Sequence, residues 1–581
     1  MCPIPMSESE SSRPKMYSPI SPRKLPKNWK AESWEAVEPW YLELEERALE
    51  SAGDLEEWLL DRSEVDAAVA AVSCRRNVAH VRYTNNAEAE ANHLAYQAEV
   101  IPNVRKSGDR LDRKYLESPL RDALDVNRWG VHDRESDLAA RLFRPENVAL
   151  GVEEEECIVQ YGHLTGSMTV EWEGETLTLP ALAKYLEVED RDVREKAWRL
   201  AAERRLEDCD SLENLFDQMR SIREKMAANA GFSDFRGFRH LEYGRLDYDP
   251  ADCLALHEAI EEHVNPLLLR MQAVRRDSLG VEELRPWDLA ADPLGRPAFE
   301  PFEDSAGQVR VAAALMKEVS PEFADDLIWM EGQGLLDLET RPHKRQGGFM
   351  ETFEDERVPF IFANSGTTHR DVETLVHEGG HAVHALLSRR LEPGSYRHAP
   401  LEFAEVASMG MECMAMEHLE AVYPTVEAKR ARRFALEGVV SGLTWIATVD
   451  AFQHWMYTHS AHTREERSEH WVSLRSRFSG NLNWTGLEEE HAFEWHRQLH
   501  IFEVPFYYVE YALAQLGALQ VWSAYRVNPE QAVAAYRAGL DLGGSLPLPA
   551  LFEAAGLKFD PRGTLLPGLM AEVEEAWEQV L

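Results

Sequence analysis

The chain of 581 residues is short of positive charge: 62 Lys and Arg stand against 102 Asp and Glu, a formal net charge of −40. A protein that grips phosphates needs basic surface to displace counterions, so this shortage argues against DNA, RNA or an anionic membrane as partner. Cysteine is scarce as well. The 6 copies (Cys2, Cys74, Cys157, Cys209, Cys253 and Cys413) form no CxxC pair, which speaks against a thiolate zinc ribbon or a disulfide framework and fits free thiols in a reducing cytoplasm. Long apolar runs are missing too. The longest uncharged stretch runs only from Tyr511 to Tyr525, short of the roughly 18 residues of a membrane span. The N-terminal MCPIPMSESESSRPKMYSPISPRK carries no apolar signal segment. These absences predict a soluble, cytoplasmic protein. Core-forming residues are plentiful, with 44% hydrophobic residues, 16 Trp, 17 Tyr and 21 Phe, so global disorder is excluded.

The first residues are rich in Ser and Pro and poor in aliphatics, and 1–25 is expected to be a mobile tail. From Ser33 apolar residues recur at Trp34, Val37, Tyr41 and Leu44, the spacing of one helix face. Charged helical stretches follow at Leu55–Ala71, Glu88–Val100 and Lys114–Asn127. Around Ser167–Leu179 the period shifts to two, with Gly174 at a turn, which predicts a short hairpin. Helical patterning resumes over Arg191–Ala228 and dominates the remainder. The expected division is therefore a tail (1–25), an N-terminal helical lobe with a hairpin (26–190) and a larger, mostly helical domain (191–581). One interruption stands out: Gly348–Phe353 and Val358–Ala363 read as strands flanking the polar turn Glu354–Arg357, with Gly347–Gly348 leaving backbone uncovered at a sheet edge.

Directly after this sheet segment, THRDVETLVHEGGHAVHALLSRR reads as a helix, with Thr368 and Asp371 at capping-box spacing. Inside it lies His377-Glu378-Gly379-Gly380-His381. Residues four apart share a helix face, so His377 and His381 can hold one Zn²⁺ through ring nitrogens, and Glu378 then stands beside a metal-bound water as general base. The motif is short enough to arise by chance in an acid-rich chain with 21 His. Its context strengthens it: the helix is capped, the histidines lie off the stripe formed by Leu375, Ala382, Val383, Leu386 and Leu387, and a Gly-rich strand edge precedes it. Gly379 and Gly380 each cost about 1 kcal/mol of helix stability relative to Ala, which a close approach to that face would justify.

A catalytic zinc wants three protein ligands. The metzincin continuation HExxHxxGxxH is absent, because His384 occupies its Gly position and Leu387 its last His position. His384 is expected in packing rather than on the metal. A Glu from a following helix is the other solution, with Glu392, Glu402, Glu405 and Glu412 as candidates that spacing does not separate. Glu405 lies in the uncharged-flanked run FAEVASMGMECMAM, where a carboxylate is hard to explain as solvated surface and tolerable as a cation ligand.

HEGGHAVH, followed by AEVASMGME and by HIFEVPFYYVEYALAQ near the C-terminus, resembles the thimet oligopeptidase and oligoendopeptidase F family of zinc peptidases, closest to its oligoendopeptidase F-like branch. GGFMETFEDERVPFIFAN, ATVDAFQHWMYTH and WEAVEPWYLELEERALESAGDLEEWLLDRSE extend the likeness over most of residues 26–581. The resemblance implies His377 and His381 as zinc ligands, Glu378 as base, Glu405 as third ligand and Glu412 as an acid supporting them. It implies that His500 and tyrosines among Tyr507, Tyr508 and Tyr511 donate hydrogen bonds to the substrate carbonyl and its oxyanion. On a helix Tyr507 and Tyr511 would share a face and Tyr508 would turn away, so Tyr507 and Tyr511 are the expected donors.

The implied fold is mostly α, a two-lobed helical ellipsoid with a deep substrate channel and a small antiparallel β-sheet beside the zinc site. The expected activity is zinc-dependent cleavage of internal bonds in short unstructured oligopeptides, in a monomer or a homo-oligomer, with an acidic channel favouring basic peptides. A zinc carboxypeptidase or peptidyl-dipeptidase on a related helical fold is the alternative, and an acidic non-enzymatic scaffold the remote third.

Overall fold

The charged amphipathic stretches near the N-terminus fold as α1 (Trp34–Glu46), α2 (Ala52–Arg82), α3 (Ala87–Glu99), α4 (Ile101–Leu116), α5 (Val126–Leu142) and α6 (Pro145–Gly166). The computed structural model describes residues 17–581 apart from positions 19, 28, 298, 342 and 346. Of the tail expected over 1–25, residues 1–16 therefore lie outside the described residues. Residues 23 and 24 run along α2, where the Glu64 carboxylate accepts from the backbone N–H groups of Arg23 (2.8 Å) and Lys24 (2.9 Å). The helix expected over Lys114–Asn127 is broken: α4 stops at Leu116, before Pro119, and a single 3₁₀ turn over Arg121–Ala123 leads into α5. A proline cannot continue the hydrogen-bond ladder, and the surrounding helical periodicity conceals the break.

The expected hairpin is present as β1 (Thr169–Trp172) and β2 (Glu175–Thr178), antiparallel with Val170 opposite Leu177. Its turn residues Glu173 and Gly174 both have positive φ (51° and 91°), the pairing that matches strand twist in a two-residue loop. The long helices that matter below are α7 (Pro250–His263), α8 (Ser305–Val319), α9 (His369–Ser388), α10 (Leu401–Met416), α11 (Thr425–Thr458) and α12 (Val509–Val527). By length and composition α11 could cross a membrane, and half of its apolar window is buried inside the protein.

The second strand pair lies where the sequence places it, as β4 (Phe349–Phe353) and β5 (Val358–Ser365), joined antiparallel with Met350 opposite Ile361. An additional strand, β3 (Leu336–Glu339), pairs parallel to the other side of β5, so the order is β3-β5-β4. As the central strand, β5 is buried continuously from Val358 to Ala363, which explains its unalternating apolar run VPFIFA.

Two hydrophobic cores organise the molecule. A smaller one gathers residues from Leu25 to Trp129, and a larger one runs from Cys157 to Trp577 and includes the faces of α9, α10 and α12. Between them Val78 and Val81 of α2 pack on Phe353, Val358, Phe360 and Phe362 of the sheet. Arg82 adds an ion pair to Asp337 (2.5 Å), and the Arg345 N–H donates to the Val81 carbonyl (2.9 Å).

Candidate metal centre and cleft

Helix α9 starts as its sequence dictates: the Asp371 carboxylate accepts from the Thr368 N–H (2.9 Å) and hydroxyl (2.8 Å), which satisfies a helix N-terminus. Its buried stripe includes Val372, Leu375, Ala382, Val383 and Leu386, leaving His377 and His381 on another face. The two glycines between them have a steric purpose. A Cβ on Gly380 would lie 2.6 Å from the Ala407 carbonyl oxygen and 2.7 Å from the Ser408 Cα, and one on Gly379 would lie 3.1 Å from the Met316 sulfur of α8. Helix α10 thus crosses α9 backbone to side-chain-less backbone, and this crossing carries Glu405 to the histidines. Gly380→Ala is expected to cost about 1–3 kcal/mol by overpacking and to weaken metal retention by pushing Glu405 away. Thermal melts and metal analysis of the variant check both effects.

The histidine Nε2 atoms of His377 and His381 each lie 3.5 Å from Glu405 Oε2. Ligands of a tetrahedral ion with bonds of about 2.0–2.1 Å stand about 3.3–3.4 Å apart, so the residues present fit a single zinc with little adjustment. Glu405 Oε1 accepts from the Tyr507 hydroxyl (3.0 Å) and Oε2 from Ser408 (3.1 Å). The Nδ1 of His377 meets Glu412 Oε1 at 2.5 Å. Burial alone would lower the His377 imidazole, but the Glu412 hydrogen bond and charge, with Glu405 and Glu378, outweigh it and raise it to about 10. Burial works against ionised Glu405, yet the charges of His381 and His377 bring it down to about 2. Three carboxylates around two imidazoles make this a cation-seeking pocket.

Glu412 sits where a carboxylate fixes the tautomer and ring plane of a metal-binding His. Glu412→Ala is expected to lower zinc affinity about 10–100-fold, read by competition with a chromogenic chelator. Glu378 is buried, with Oε2 lacking any hydrogen-bond partner. Burial raises its carboxyl above the ordinary value, against the pull of His377 and His381. Gly348 of the strand edge borders it: a Cβ there would lie 3.5 Å from Glu378 Oε1.

Of the other expected candidates, His384 is buried edge-on to Phe403, and burial lowers it to about 3. Glu402 accepts from the Tyr248 hydroxyl (2.6 Å), and Glu392 pairs with Arg357 (2.6 Å). Neither belongs to the group formed by His377, His381 and Glu405.

His500 and the tyrosines converge. The rings of His500 and Tyr508 are 4.7 Å apart, Tyr507 and Tyr511 5.4 Å, and Tyr508 and Tyr511 5.5 Å. Helix α12 begins only at Val509, after Phe506 at φ 66°. Tyr507 and Tyr508 are therefore not related by helical geometry, and Tyr508 shares the cleft wall with His500 and Tyr511. Burial raises both Tyr507 and Tyr511, so each phenol keeps its proton.

Two residues absent from the sequence expectations orient this wall. The Trp445 indole N–H donates to Gln498 Oε1 (3.0 Å), which leaves the Gln498 amide nitrogen facing His500 Nδ1 at 2.7 Å. An indole nitrogen only donates, so the amide orientation is assigned and Nδ1 accepts. Burial lowers His500 to about 4, hence the neutral ring carries its proton on Nε2. No signal in the sequence beyond proximity to His500 marks Gln498. The second is Arg245, which donates to the Phe506 carbonyl (2.6 Å) and Glu510 (2.5 Å) and so pins the unusual backbone ahead of Tyr507.

A cleft of about 770 Å³ opens along Glu412, His500, Tyr508 and Tyr511. Two of its acidic lining residues are matched by arginines, Glu437 by Arg275 (2.7 Å) and Glu494 by Arg475 (2.8 Å), and two by histidines, Glu373 by His369 (3.3 Å) and Glu412 by His377 (2.5 Å).

A family model described as peptidase family M3 matches residues 184–567. An oligoendopeptidase F homolog of Lactococcus lactis subsp. lactis is 31% identical over 165 residues, 28% of this chain and 26% of that protein. The oligopeptidase PepF of Bacillus subtilis is 26% identical over 304 residues, 50% of this chain and 43% of that protein. The chain thus spans less than half the length of these curated relatives. A solved structure of PZ peptidase A with an inhibitor superposes with a TM-score of 0.89 at 25% identity, covering 94% of this chain and 97% of that one. The likeness to oligoendopeptidase F read from the sequence is carried by these relatives, and with more than half of its length inside the family match, the chain belongs to peptidase family M3.

Proposed function

We propose that the protein is a zinc endopeptidase that hydrolyses internal bonds of short, unstructured oligopeptides. The observation that carries this reading is the group of His377, His381 and Glu405 within 4.8 Å of one another, with each imidazole Nε2 3.5 Å from Glu405 Oε2 and the buried Glu378 carboxylate, its Oε2 unpartnered, beside it. A zinc ion held by His377, His381 and Glu405 would supply Lewis acidity to the scissile carbonyl and to water. Glu378 takes the proton of the attacking water and delivers it to the leaving amine. The Nε2–H of His500 and the Tyr511 hydroxyl donate to the developing oxyanion. Tyr511 makes no side-chain hydrogen bond among the described residues and lines the cleft. Tyr507 donates to Glu405 and steadies that ligand instead. Free Cys74, Cys157, Cys209, Cys253 and Cys413 are consistent with a reducing cytoplasm.

The test is hydrolysis of an internally quenched peptide blocked at both ends, with zinc content measured alongside. Internal cleavage that stops on chelation and returns with zinc supports the reading. A metal-loaded protein that trims only unblocked termini makes it an exopeptidase instead.

A further inference from the structure

A second cluster of metal-ligating side chains lies behind the wall that carries Tyr507. Cys253 and His257 sit four residues apart on α7, and Asp450 and His454 four apart on α11, so each helix presents its pair on one face toward the other. All four are buried, with exposures of 1%, 3%, 0% and 5%. Donor atoms of Cys253, Asp450 and His454 lie within 4.8 Å of one another. Asp450 Oδ2 is 2.8 Å from His257 Nε2 and 3.3 Å from His454 Nε2.

Hydrogen bonding accounts for only part of this group: Asp450 Oδ2 is engaged with His257 Nε2 (2.8 Å), but two other polar atoms are left over. The Cys253 thiol turns back on its own helix, 3.6 Å from the Asp249 carbonyl. Asp450 Oδ1 and His454 Nδ1 are buried without any hydrogen-bond partner, a costly state for polar atoms sealed from water. An ionised carboxylate with no exposure is tolerated when it is paired or coordinates a cation.

We propose that Cys253, His257, Asp450 and His454 form a second, structural zinc site distinct from the HEGGH centre. One sulfur, two imidazoles and one carboxylate suit a borderline-soft ion that accepts four protein ligands, and not calcium or magnesium, which take oxygen. Cys253, Asp450 and His454 already form a group within 4.8 Å, and His257, outside that group, stands 2.8 Å from the shared Asp450 oxygen, so the side chains must shift to reach the about 3.3–3.8 Å separations of a tetrahedral site. Binding releases the Cys253 thiol proton to solvent, leaves each neutral imidazole its single proton on the nitrogen that does not face the ion, and replaces the His–Asp contacts with metal bonds. The ion would clamp α7 to α11 directly beneath the substrate wall: the His454 ring stands edge-on to Phe506 at 5.4 Å, and the neighbouring Gln453 accepts the Phe506 N–H (2.7 Å).

The two centres differ in one spectroscopically decisive way, since no ligand of the HEGGH centre is a sulfur. Cobalt(II) is loaded into the full-length protein, into Cys253→Ser and into His381→Ala, and zinc content is measured on the same proteins purified without chelators. A near-ultraviolet thiolate-to-cobalt charge-transfer band is expected in the wild type and in His381→Ala, and is expected to vanish in Cys253→Ser. Zinc is expected at about two ions per chain in the wild type and about one in each variant. A wild type with about one ion and no thiolate band overturns the proposal, as does a band that survives Cys253→Ser. Should Cys253→Ser fail to fold, the wild-type and His381→Ala spectra decide alone, and because the band does not depend on the HEGGH site its outcome is separate from that of the proposed peptidase activity.

Discussion

Glu378→Gln is expected to lower kcat by about 10²–10⁴-fold, the range of a positioned general base, with zinc content unchanged from the wild type. The amide keeps the size of the carboxylate and lacks its basicity, so the loss reports proton transfer rather than packing. Retention of metal follows because His377, His381 and Glu405 are untouched. The pH profile carries the same signature. Burial holds the Glu378 carboxyl above its ordinary value, and the base works only when deprotonated. Activity therefore rises as pH increases through a limb above the usual carboxylate value of about 4.3, and the residual rate of the Gln variant lacks that limb. A Gln variant that cleaves at the wild-type rate removes Glu378 from the mechanism.

Tyr511→Phe is expected to have the second large effect: a fall in kcat of about 10²–10³-fold, as for loss of one oxyanion donor, with KM and zinc content little changed. In the proposed role the hydroxyl acts on charge that exists only in the transition state, so its removal is expected to spare binding. Tyr507→Phe should behave differently. Its hydroxyl is engaged with Glu405 Oε1, so the variant should lose zinc to a chelator more readily. If the two variants exchange these signatures, the roles of Tyr507 and Tyr511 exchange with them.

Much of the site was legible because its pieces are local. The HEGGH spacing, the Thr368–Asp371 cap and the β4–β5 hairpin each depend on residues within a few positions of one another, and each lies where sequence patterning puts it. What spacing could not separate were the four candidate glutamates, since their difference is tertiary: Glu405 is delivered by the approach of Ala407 and Ser408 to Gly380. Strand β3 also escaped notice. Four residues, LDLE, carry too little pattern, and their partner strand lies beyond β4 in the chain. Tyr507 and Tyr508 fall outside the helix the sequence suggests for them, because that helix begins only at Val509.

The packing of α2 on the small sheet has a mechanical consequence. The strand edge that ends at Gly348, beside Glu378, belongs to the same sheet that Val78 and Val81 grip and that Arg82 ties down at Asp337. Helix α2 runs back from there for 31 residues into the N-terminal core. Helix α2 is thus a lever whose short arm is the sheet, so a displacement of the N-terminal core is passed to the strand edge that borders Glu378.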